Sequence, residues 1–229
     1  MLLSGKKAVV TGGSRGIGFE ICKIFLEQDA TVLAVSRDSN KLAQAKSGLP
    51  GLHTLAADVS APEQVDRVAA WVEEHWGRMD ILVNNAGVSF PDQDDLTAQP
   101  DEVFFDTIRI NLNGPYLCTK RLVPLLMRSA DPRIVNIGSG AGVMSPRLQG
   151  AYSVSKVALH AMTIVAAGEL RGKVAVNVMT PGWVRTDMAP DAPGDPRTSA
   201  ESVLFLVTQP SDVTGRFFRG QEEADWARF

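Results

Sequence analysis

The chain has 229 residues, of which 45% are hydrophobic and 21% are charged, and its formal net charge is −3. This composition is typical of a globular protein, and the length suits one large α/β domain or two small ones. The weak negative charge provides no basic field for nucleic acid or acidic membranes. No apolar run approaches a membrane span and the N-terminus does not resemble a signal peptide, so we expect a cytoplasmic protein with no nucleic-acid or membrane partner.

Short runs rich in Val, Ile, Leu and Ala alternate with segments in which apolar residues recur at helical spacing. In chain order, the runs that predict strands are 7–12, 31–36, 52–58, 80–87, 133–139 and 173–182, followed by a last apolar piece at 214–218. The segments that predict helices are 16–28, 39–47, 62–76, 100–129, 150–171 and 199–207. We expect the longest of these helices to bend near Pro124.

The alternation of strands and helices indicates the fold class. Near-continuous apolar strands are expected where helices cover both faces of a parallel sheet. We therefore predict an α/β protein with a doubly wound parallel sheet of about seven strands and helices on both faces. Ligands bind such sheets at the carboxyl ends of the strands. The residues at those ends are Gly12, Ser36, Asp58, Asn84, Ser139 and Pro181.

The stretch TGGSRGIG joins the first predicted strand to the first helix and contains Gly12, Gly16 and Gly18. Glycines allow a tight turn and let a pyrophosphate approach the backbone at a helix N-terminus. The GxGxxG spacing is absent, and many strand–helix turns use glycine only for its backbone freedom. Its position after the first strand of a βαβ unit nevertheless favours dinucleotide binding.

The end of the second predicted strand bears on the choice between NAD and NADP. An acidic residue there binds the ribose 2′-hydroxyl of NAD, whereas an arginine suits the 2′-phosphate of NADP. Ser36 stands where an NAD-binding protein has its acidic residue, and Arg37 follows it. We expect Arg15, in the glycine turn, to reach the same 2′-phosphate. We therefore favour NADP(H). NAD(H) stays open, because Asp38 would take the acidic role with a shift of one position.

The cysteines and histidines provide no pattern for a disulfide or a metal site. Cys22 and Cys118 fall in helical segments without a CxxC partner, so we expect buried, reduced thiols. His53, His75 and His160 are far apart and lack ligand spacing, so we predict no metal site. We interpret His160 as a packing or interface residue.

Each of the two tyrosines in the chain stands four residues before a lysine. Tyr152 precedes Lys156, and Tyr116 precedes Lys120. On a helix this spacing places both side chains on one face. A cation beside a phenol favours the phenolate and lowers the pKa of the phenol. Spacing alone does not distinguish the two pairs.

Seven short motifs, in order along nearly the whole chain, resemble those of the short-chain dehydrogenase/reductase family. Two catalytic residues of the pattern are Ser139 and Tyr152, which are thirteen positions apart. The motifs are TGGSRGIG, DVS at 58–60, NNAG at 84–87, INLNG with Asn111, NIGSGAG with Ser139, YSVSK with Tyr152 and Lys156, and PGWVRT. Any one of these motifs is short enough to arise by chance, but the whole set, in this order and at strand ends, is specific to the family.

The resemblance implies a single-domain Rossmann fold over 1–229 and an NADPH-dependent oxidoreductase that reduces a ketone, aldehyde or quinone. Tyr152 would donate a proton to the carbonyl oxygen, and Ser139 would hydrogen-bond the same oxygen. Lys156 would lower the pKa of the phenol and hold the nicotinamide ribose. Asn111 would bind a water that links Lys156 to solvent.

The resemblance also implies a cofactor-binding set along the same edge. The set is Gly12, Ser14, Arg15, Gly16, Ile17, Gly18, Ser36, Arg37, Asp58, Val59, Asn85, Ala86, Gly87, Tyr152, Lys156, Pro181, Gly182, Val184 and Thr186. Their positions in the predicted fold indicate which of the two tyrosines is catalytic. Tyr152 opens the helix after the fifth strand, at the ligand edge, whereas Tyr116 lies inside the preceding long helix and is interpreted as a packing tyrosine.

The chain departs from the family pattern after PGWVRTDM, where members often carry a longer substrate lid. Only the Pro-, Asp- and Gly-rich stretch 187–199 remains as a short substrate loop, which predicts an open or mobile pocket with Trp183 as one apolar wall. The tail TGRFFRGQEEADW resembles carbonyl-reductase-like branches. We expect a small-molecule carbonyl substrate and a homodimer or homotetramer, with a monomer as the alternative. An NAD-dependent alcohol dehydrogenase and a non-catalytic NADP(H)-binding sensor also stay open.

Overall fold

The predicted apolar runs form the strands of one sheet in a computed structural model that describes residues 1–90, 95–141 and 149–225. The strands are β1 (Lys7–Thr11), β2 (Thr31–Ser36), β3 (His53–Ala56), β4 (Ile81–Asn84), β5 (Arg133–Ile137), β6 (Ala175–Thr180), β7 (Phe217–Arg219) and β8 (Glu222–Glu223). Their order is β3-β2-β1-β4-β5-β6-β7-β8, and all neighbours are parallel except β7 and β8. The predicted α/β class is confirmed, with a short antiparallel eighth strand added to the expected seven.

Helices connect the parallel strands and cover both faces of the sheet. They are α1 (Gly16–Glu27), α2 (Ser39–Gly48), α3 (Pro62–Trp76), α4 (Asp101–Ile108), α5 (Gly114–Leu126), α6 (Gly150–Glu169) and α7 (Pro196–Val207). Alternate strand residues point to opposite faces. In β1, Ala8 and Val10 join the core with α1, α2 and α7, whereas Val9 joins the core with α3, α5 and α6. Two buried faces account for the near-continuous apolar strands.

The strand order reverses beside β1, because β2 pairs with one side of β1 and β4 pairs with the other. In open α/β sheets this switch point is where ligands bind, outside the carboxyl ends of the strands. Here it brings the glycine turn after β1 next to the NNAG segment after β4. The Asn85 side chain joins the two, since its Nδ2 donates to the carbonyl oxygens of Thr11 at 2.9 Å and Gly12 at 3.3 Å.

The segment predicted as one long helix over 100–129 is helical without a break from Asp101 to Leu126, and its bend near Pro124 stays a prediction. The segment contains α4, a π-helical turn at Arg109–Asn113, and then α5, which continues through Pro124. The regular hydrogen-bond pattern is therefore interrupted at the wide turn that carries Asn111. Such π-helical turns inside α-helices are frequent at functional sites.

Helix α7 begins at Pro196, three residues before the predicted start at 199. The Asp195 carboxylate accepts a hydrogen bond from the backbone N–H of Arg197 at 2.9 Å, and a proline suits the first helical turn. The predicted loop 187–199 therefore ends at Asp195. The assignment of residues 1–229 to a single domain stays a prediction.

The hydroxyl of Thr11, at the end of β1, links β1 to the segment after β4. It accepts hydrogen bonds from the backbone N–H groups of Asn85 at 3.0 Å and Ala86 at 3.1 Å, and it donates to the carbonyl oxygen of Val83 at 3.3 Å. Thr11 is buried, so water does not replace these bonds. One side chain therefore fixes the distance between the two loops at the switch point.

Replacing Thr11 with Val should lower the free energy of unfolding by about 2–4 kcal/mol, because two N–H groups lose a buried acceptor while the side-chain shape is kept. Urea unfolding followed by circular dichroism measures the change. Thr31→Val, the same change at the start of β2, is the control and should cost much less. Equal losses in the two variants would contradict a linking role for the Thr11 hydroxyl.

Candidate active site

A cleft of about 940 Å³ runs along the carboxyl edge of the sheet. With the exception of Asn111, all predicted catalytic and cofactor-binding residues line it, from the glycine turn through Ser36 and Asp58 to Tyr152 and Thr186. The cleft is also lined by residues that the sequence did not single out as site residues. These include Val88, Gln149 and Arg219, whereas Asp187, Met188 and Asp191 belong to the predicted substrate loop 187–199.

Asn111 lies behind the cleft, fully buried in the π-helical turn. Its Oδ1 accepts from the backbone N–H of Val88 at 2.8 Å, and its Nδ2 donates to the Val88 carbonyl oxygen at 2.9 Å and to Ser155 Oγ at 3.1 Å. Both amide N–H groups are therefore committed to the protein. The geometry gives Asn111 a positioning role toward the loop after β4, and its binding of a water stays a prediction.

Lys156 is a buried cation, with only 5% of its surface exposed. Its Nζ donates to the carbonyl oxygen of Ile137, at the end of β5, at 2.9 Å. Burial disfavours the charged form and lowers the pKa of the ammonium to about 8. Lys156 lies 5.7 Å from the centroid of the Tyr152 ring, so the two groups share one poorly solvated space.

Tyr152 and Ser139 meet at the floor of the cleft. Burial raises the pKa of the Tyr152 phenol, and a hydrogen bond with the Ser139 side chain acts in the opposite direction. From the sequence, Lys156 was expected to lower the pKa of this phenol. Among the protein groups burial is the largest influence and outweighs the Ser139 hydrogen bond, while the Lys156 ammonium donates to Ile137.

The Tyr116–Lys120 pair has the same spacing and nearly the same distance from ammonium to ring outside the cleft. Lys120 Nζ lies 5.6 Å from the Tyr116 ring centroid and donates to the phenol oxygen at 3.2 Å. Tyr116 is 48% exposed, so its interpretation as a packing tyrosine is wrong. The apolar positions of α5 lie on its other face, which turns this tyrosine toward solvent.

His160 lies one helical turn beyond Lys156, with 1% of its surface exposed, which confirms its interpretation as a packing residue. Its ring packs against Phe217 at a centroid distance of 5.0 Å, and a Cβ at Gly138 would stand 2.4 Å from its Nε2. Neither ring nitrogen has a hydrogen-bond partner among the described residues. Desolvation, together with the charge of Lys156, lowers the pKa of His160 to about 4.

The glycine turn fits a dinucleotide phosphate. A Cβ at Gly18 would stand 2.2 Å from the carbonyl oxygen of Gly12, so the turn requires glycine at this position. No side chain caps the N-terminus of α1, where Arg15 is the residue before the helix. The first N–H groups of α1 therefore face the cleft as anion donors.

The end of β2 has the polar character expected of a ribose site. Ser14 Oγ donates to Ser36 Oγ at 3.0 Å, and Arg37 Nη1 lies 3.9 Å from Asp58 Oδ2. Burial acts to raise the pKa of Asp58, but hydrogen bonds from Ser60 and the nearby arginines produce a net lowering. Asp38 serves as the N-cap of α2, where one carboxylate oxygen accepts the backbone N–H groups of Asn40 and Lys41.

A buried polar network behind the site was missed by the sequence reasoning. Asn84 Nδ2 donates to Asn136 Oδ1 at 2.8 Å, and Asn136 Nδ2 donates to Thr163 Oγ1 at 2.9 Å. The network thus joins β4, β5 and α6. Its signal in the sequence was an asparagine inside each of two otherwise apolar strands.

Among the described residues, no group of three or more His, Cys, Asp or Glu side chains is arranged to hold a metal ion. Cys22 and Cys118 are free, buried thiols, and burial raises the pKa of both, that of Cys118 to about 12. None of the helices in the described ranges combines the length and the apolar character needed to cross a membrane.

Comparison with known proteins defines the class. A family model described as short chain dehydrogenase matches residues 6–196. The chain is 32% identical to the 3-oxoacyl-[acyl-carrier-protein] reductase FabG of Thermotoga maritima, over 94% of this chain and 96% of that protein. It is 37% identical to the rhamnolipids biosynthesis 3-oxoacyl-[acyl-carrier-protein] reductase of Pseudomonas aeruginosa, over 97% and 87%.

A solved structure of a short chain dehydrogenase from Shigella flexneri complexed with NADP has a TM-score of 0.88 and 28% identity, and covers 96% of this chain and 99% of that one. The chain therefore belongs to the short-chain dehydrogenase/reductase family and is an oxidoreductase of that class.

The buried His160 makes stability depend on pH in the acid range. Its pKa is 6.5 when exposed and about 4 in the folded protein, so the unfolded state binds the proton first as the pH falls. The free energy of unfolding should therefore fall by about 3 kcal/mol through this residue between pH 6.5 and 4.

Urea unfolding of the wild-type protein and of His160→Leu, at several pH values in that window, measures this effect. The free energy of unfolding should fall by about 3 kcal/mol more in the wild type than in the variant across this window, because the variant lacks the titrating group. Curves that stay parallel would contradict the assignment of a low pKa to His160.

Proposed function

We propose that this oxidoreductase reduces a carbonyl group with NADPH, with Tyr152 as the proton donor. The observation that carries the proposal is the joint placement of Tyr152, Ser139 and Lys156 on the floor of one cleft. The Tyr152 and Ser139 hydroxyls are hydrogen-bonded there, so a carbonyl oxygen that enters between them meets two donors. A dinucleotide with its pyrophosphate at the glycine turn and its nicotinamide beside Pro181–Gly182 would supply the hydride.

The protein side of the reaction is acid catalysis and stabilisation of charge. Ser139 donates a hydrogen bond to the substrate oxygen as negative charge develops on it, and Tyr152 transfers its proton to that oxygen. Lys156 would stabilise the resulting phenolate by its charge, and its Nζ would hold the ribose hydroxyls of the cofactor. In the direction of alcohol oxidation, the Tyr152 phenolate accepts the proton.

A preference for NADP(H) is supported by the charges at the end of β2. Ser36 leaves the position of an NAD-binding acid without a carboxylate, and Arg37 and Arg15 line the cleft beside it. The alternative of an NAD-dependent alcohol dehydrogenase needs Asp38, whose carboxylate caps α2. The NADP complex of the Shigella flexneri relative supports the same preference.

The relatives favour a ketone as the substrate class. Two of them are named 3-oxoacyl-[acyl-carrier-protein] reductases, and a 3-oxoacyl group carries a ketone on carbon 3 of its acyl chain. In this chain the exposed side chains of Trp183 and Met188 line the cleft and would contact an apolar substituent. Aldehydes and quinones complete the panel of substrates to be tested with NADPH.

Self-association as a homodimer or homotetramer is part of the proposal, with the monomer as the alternative. Apolar side chains of α6, including Val154, Ile164 and Val165, are exposed in the single chain. Burial of such a surface against a second copy would remove apolar area from water. Sedimentation velocity of the purified protein distinguishes the three states. A cytoplasmic location stays an expectation from the sequence.

A non-catalytic NADP(H)-binding sensor is the second candidate. It requires the same cofactor cleft, but it has no need for the paired hydroxyls of Tyr152 and Ser139. Tight binding of NADPH without turnover of any ketone, aldehyde or quinone would favour the sensor.

Replacing Tyr152 with Phe should lower kcat/KM for ketone reduction by about 10²–10⁴-fold, because the proton donor is lost while the ring is kept. The measurement is NADPH oxidation at 340 nm, with NADPH binding checked separately. Tyr116→Phe is the matched control, since it breaks a Tyr–Lys pair of the same spacing outside the cleft, and its activity should match the wild type. Comparable losses in both variants would contradict the mechanism.

Replacing Arg37 with Ala should weaken NADPH binding by about tenfold or more and leave NADH binding nearly unchanged, since only NADPH carries the 2′-phosphate. Titration of the intrinsic tryptophan fluorescence with each cofactor gives the two dissociation constants. Arg171→Ala, in the turn after α6 and outside the cleft, controls for the loss of one positive charge. An equal loss of affinity for NADPH and NADH would contradict the assignment of Arg37 to the 2′-phosphate site.

A further inference from the structure

The carboxylate of Asp187 crosses the cleft and pairs with two cations. Asp187 follows β6, and its Oδ2 forms a short ion pair with Arg15 in the glycine turn. The same oxygen lies 3.8 Å from Nζ of Lys41, in the first turn of α2. One acidic side chain thus joins the segment after β6 to the two elements that flank the end of β2.

The position of this ion pair coincides with the site that the proposed function gives to the cofactor's 2′-phosphate. Arg15 stands immediately after Ser14, whose hydroxyl is bonded to Ser36, and Ser36 marks the position of the adenosine ribose. Arg37 lies beside it and faces Asp58 at 3.9 Å. The cations available to a 2′-phosphate here are therefore Arg15, Arg37 and Lys41, and the Asp187 carboxylate already engages two of them.

The adjoining backbone places Asp187 over the glycine turn. Thr186 and Asp187 both line the cleft, and a Cβ at Gly16 would stand 3.3 Å from Cγ2 of Thr186. The backbone N–H of Thr186 donates to the carbonyl oxygen of Ala189 at 3.3 Å, and that of Ala189 donates to the carbonyl oxygen of Thr186 at 3.0 Å. This small turn, from Thr186 to Ala189, directs Asp187 toward the two cations.

We propose that Asp187 is an internal competitor for the 2′-phosphate of NADP(H), and that it sets the preference between NADPH and NADH. The inference rests on the proposed use of NADP(H). A phosphate and a carboxylate that share one guanidinium and one ammonium repel each other, so binding of the phosphate displaces Asp187. NADH carries a hydroxyl in place of the phosphate, and it binds while the ion pair persists.

Competition also links the cofactor site to the substrate side. Residues 188–191 follow Asp187 directly and line the cleft. Release of Asp187 by NADPH therefore frees the start of the substrate loop, whereas NADH leaves it tied to Arg15 and Lys41.

The test compares Asp187→Asn with the wild type in equilibrium binding of NADPH and of NADH, followed by calorimetry. Exposed ion pairs are weak, so the variant should bind NADPH about two- to tenfold more tightly and NADH with little change. The gain should shrink at roughly 0.5 M salt because the charges are then screened. It should also disappear in the Arg15→Ala background, where the contested cation is absent.

Asp191→Asn is the matched control, because Asp191 lines the same cleft four residues further along the same loop. If both variants bound NADPH equally more tightly, the gain would come from the loss of any negative charge in this loop and not from the ion pair of Asp187. That result would overturn the proposal. Weaker or unchanged NADPH binding in Asp187→Asn, with wild-type protein that binds NADPH well, would overturn the competition alone. A wild-type protein that binds only NADH would overturn both the competition and the proposed cofactor preference.

Discussion

The arrangement of the site depends on one buried interaction, the hydrogen bond from the Lys156 ammonium to the carbonyl oxygen of Ile137. A desolvated ammonium is costly, and a backbone carbonyl at the end of β5 provides a partner that does not move or change protonation state. The sheet thereby fixes the position of the cation, and α6 fixes the tyrosine one turn earlier. Ser139, two residues beyond Ile137, then completes the group without any long loop.

The surroundings of Lys156 keep other charges away. His160 is held neutral in the acid range by burial, and it packs between Phe217 and the bare backbone of Gly138. A second cation one helical turn from Lys156 would raise the free-energy cost of burying both charges. Of these two neighbouring residues on α6, Lys156 therefore carries the positive charge and His160 stays neutral.

The fold and most of the cleft were predictable from the sequence, because apolar runs, glycines and strand-end motifs are local signals. Three features were not. The π-helical turn around Asn111 depends on hydrogen bonds to Val88, which lies 23 residues away in the chain. The exposure of Tyr116 depends on which face of α5 packs on the sheet. The ion pair of Asp187 with Arg15 joins residues 172 positions apart, so no sequence window contains it.

The last hairpin of the sheet has a consequence for how molecules of this chain meet. Strand β8, the outermost strand of the described sheet on the β7 side, consists of Glu222 and Glu223, and both are exposed. An open strand edge is a template for pairing with another chain, and short, charged strands block such pairing. Glu223 forms an ion pair with Arg216, while Glu222 adds a negative charge to this two-residue strand. The hairpin therefore ends the described sheet in a short, charged edge, which disfavours pairing with the edge strand of a second molecule.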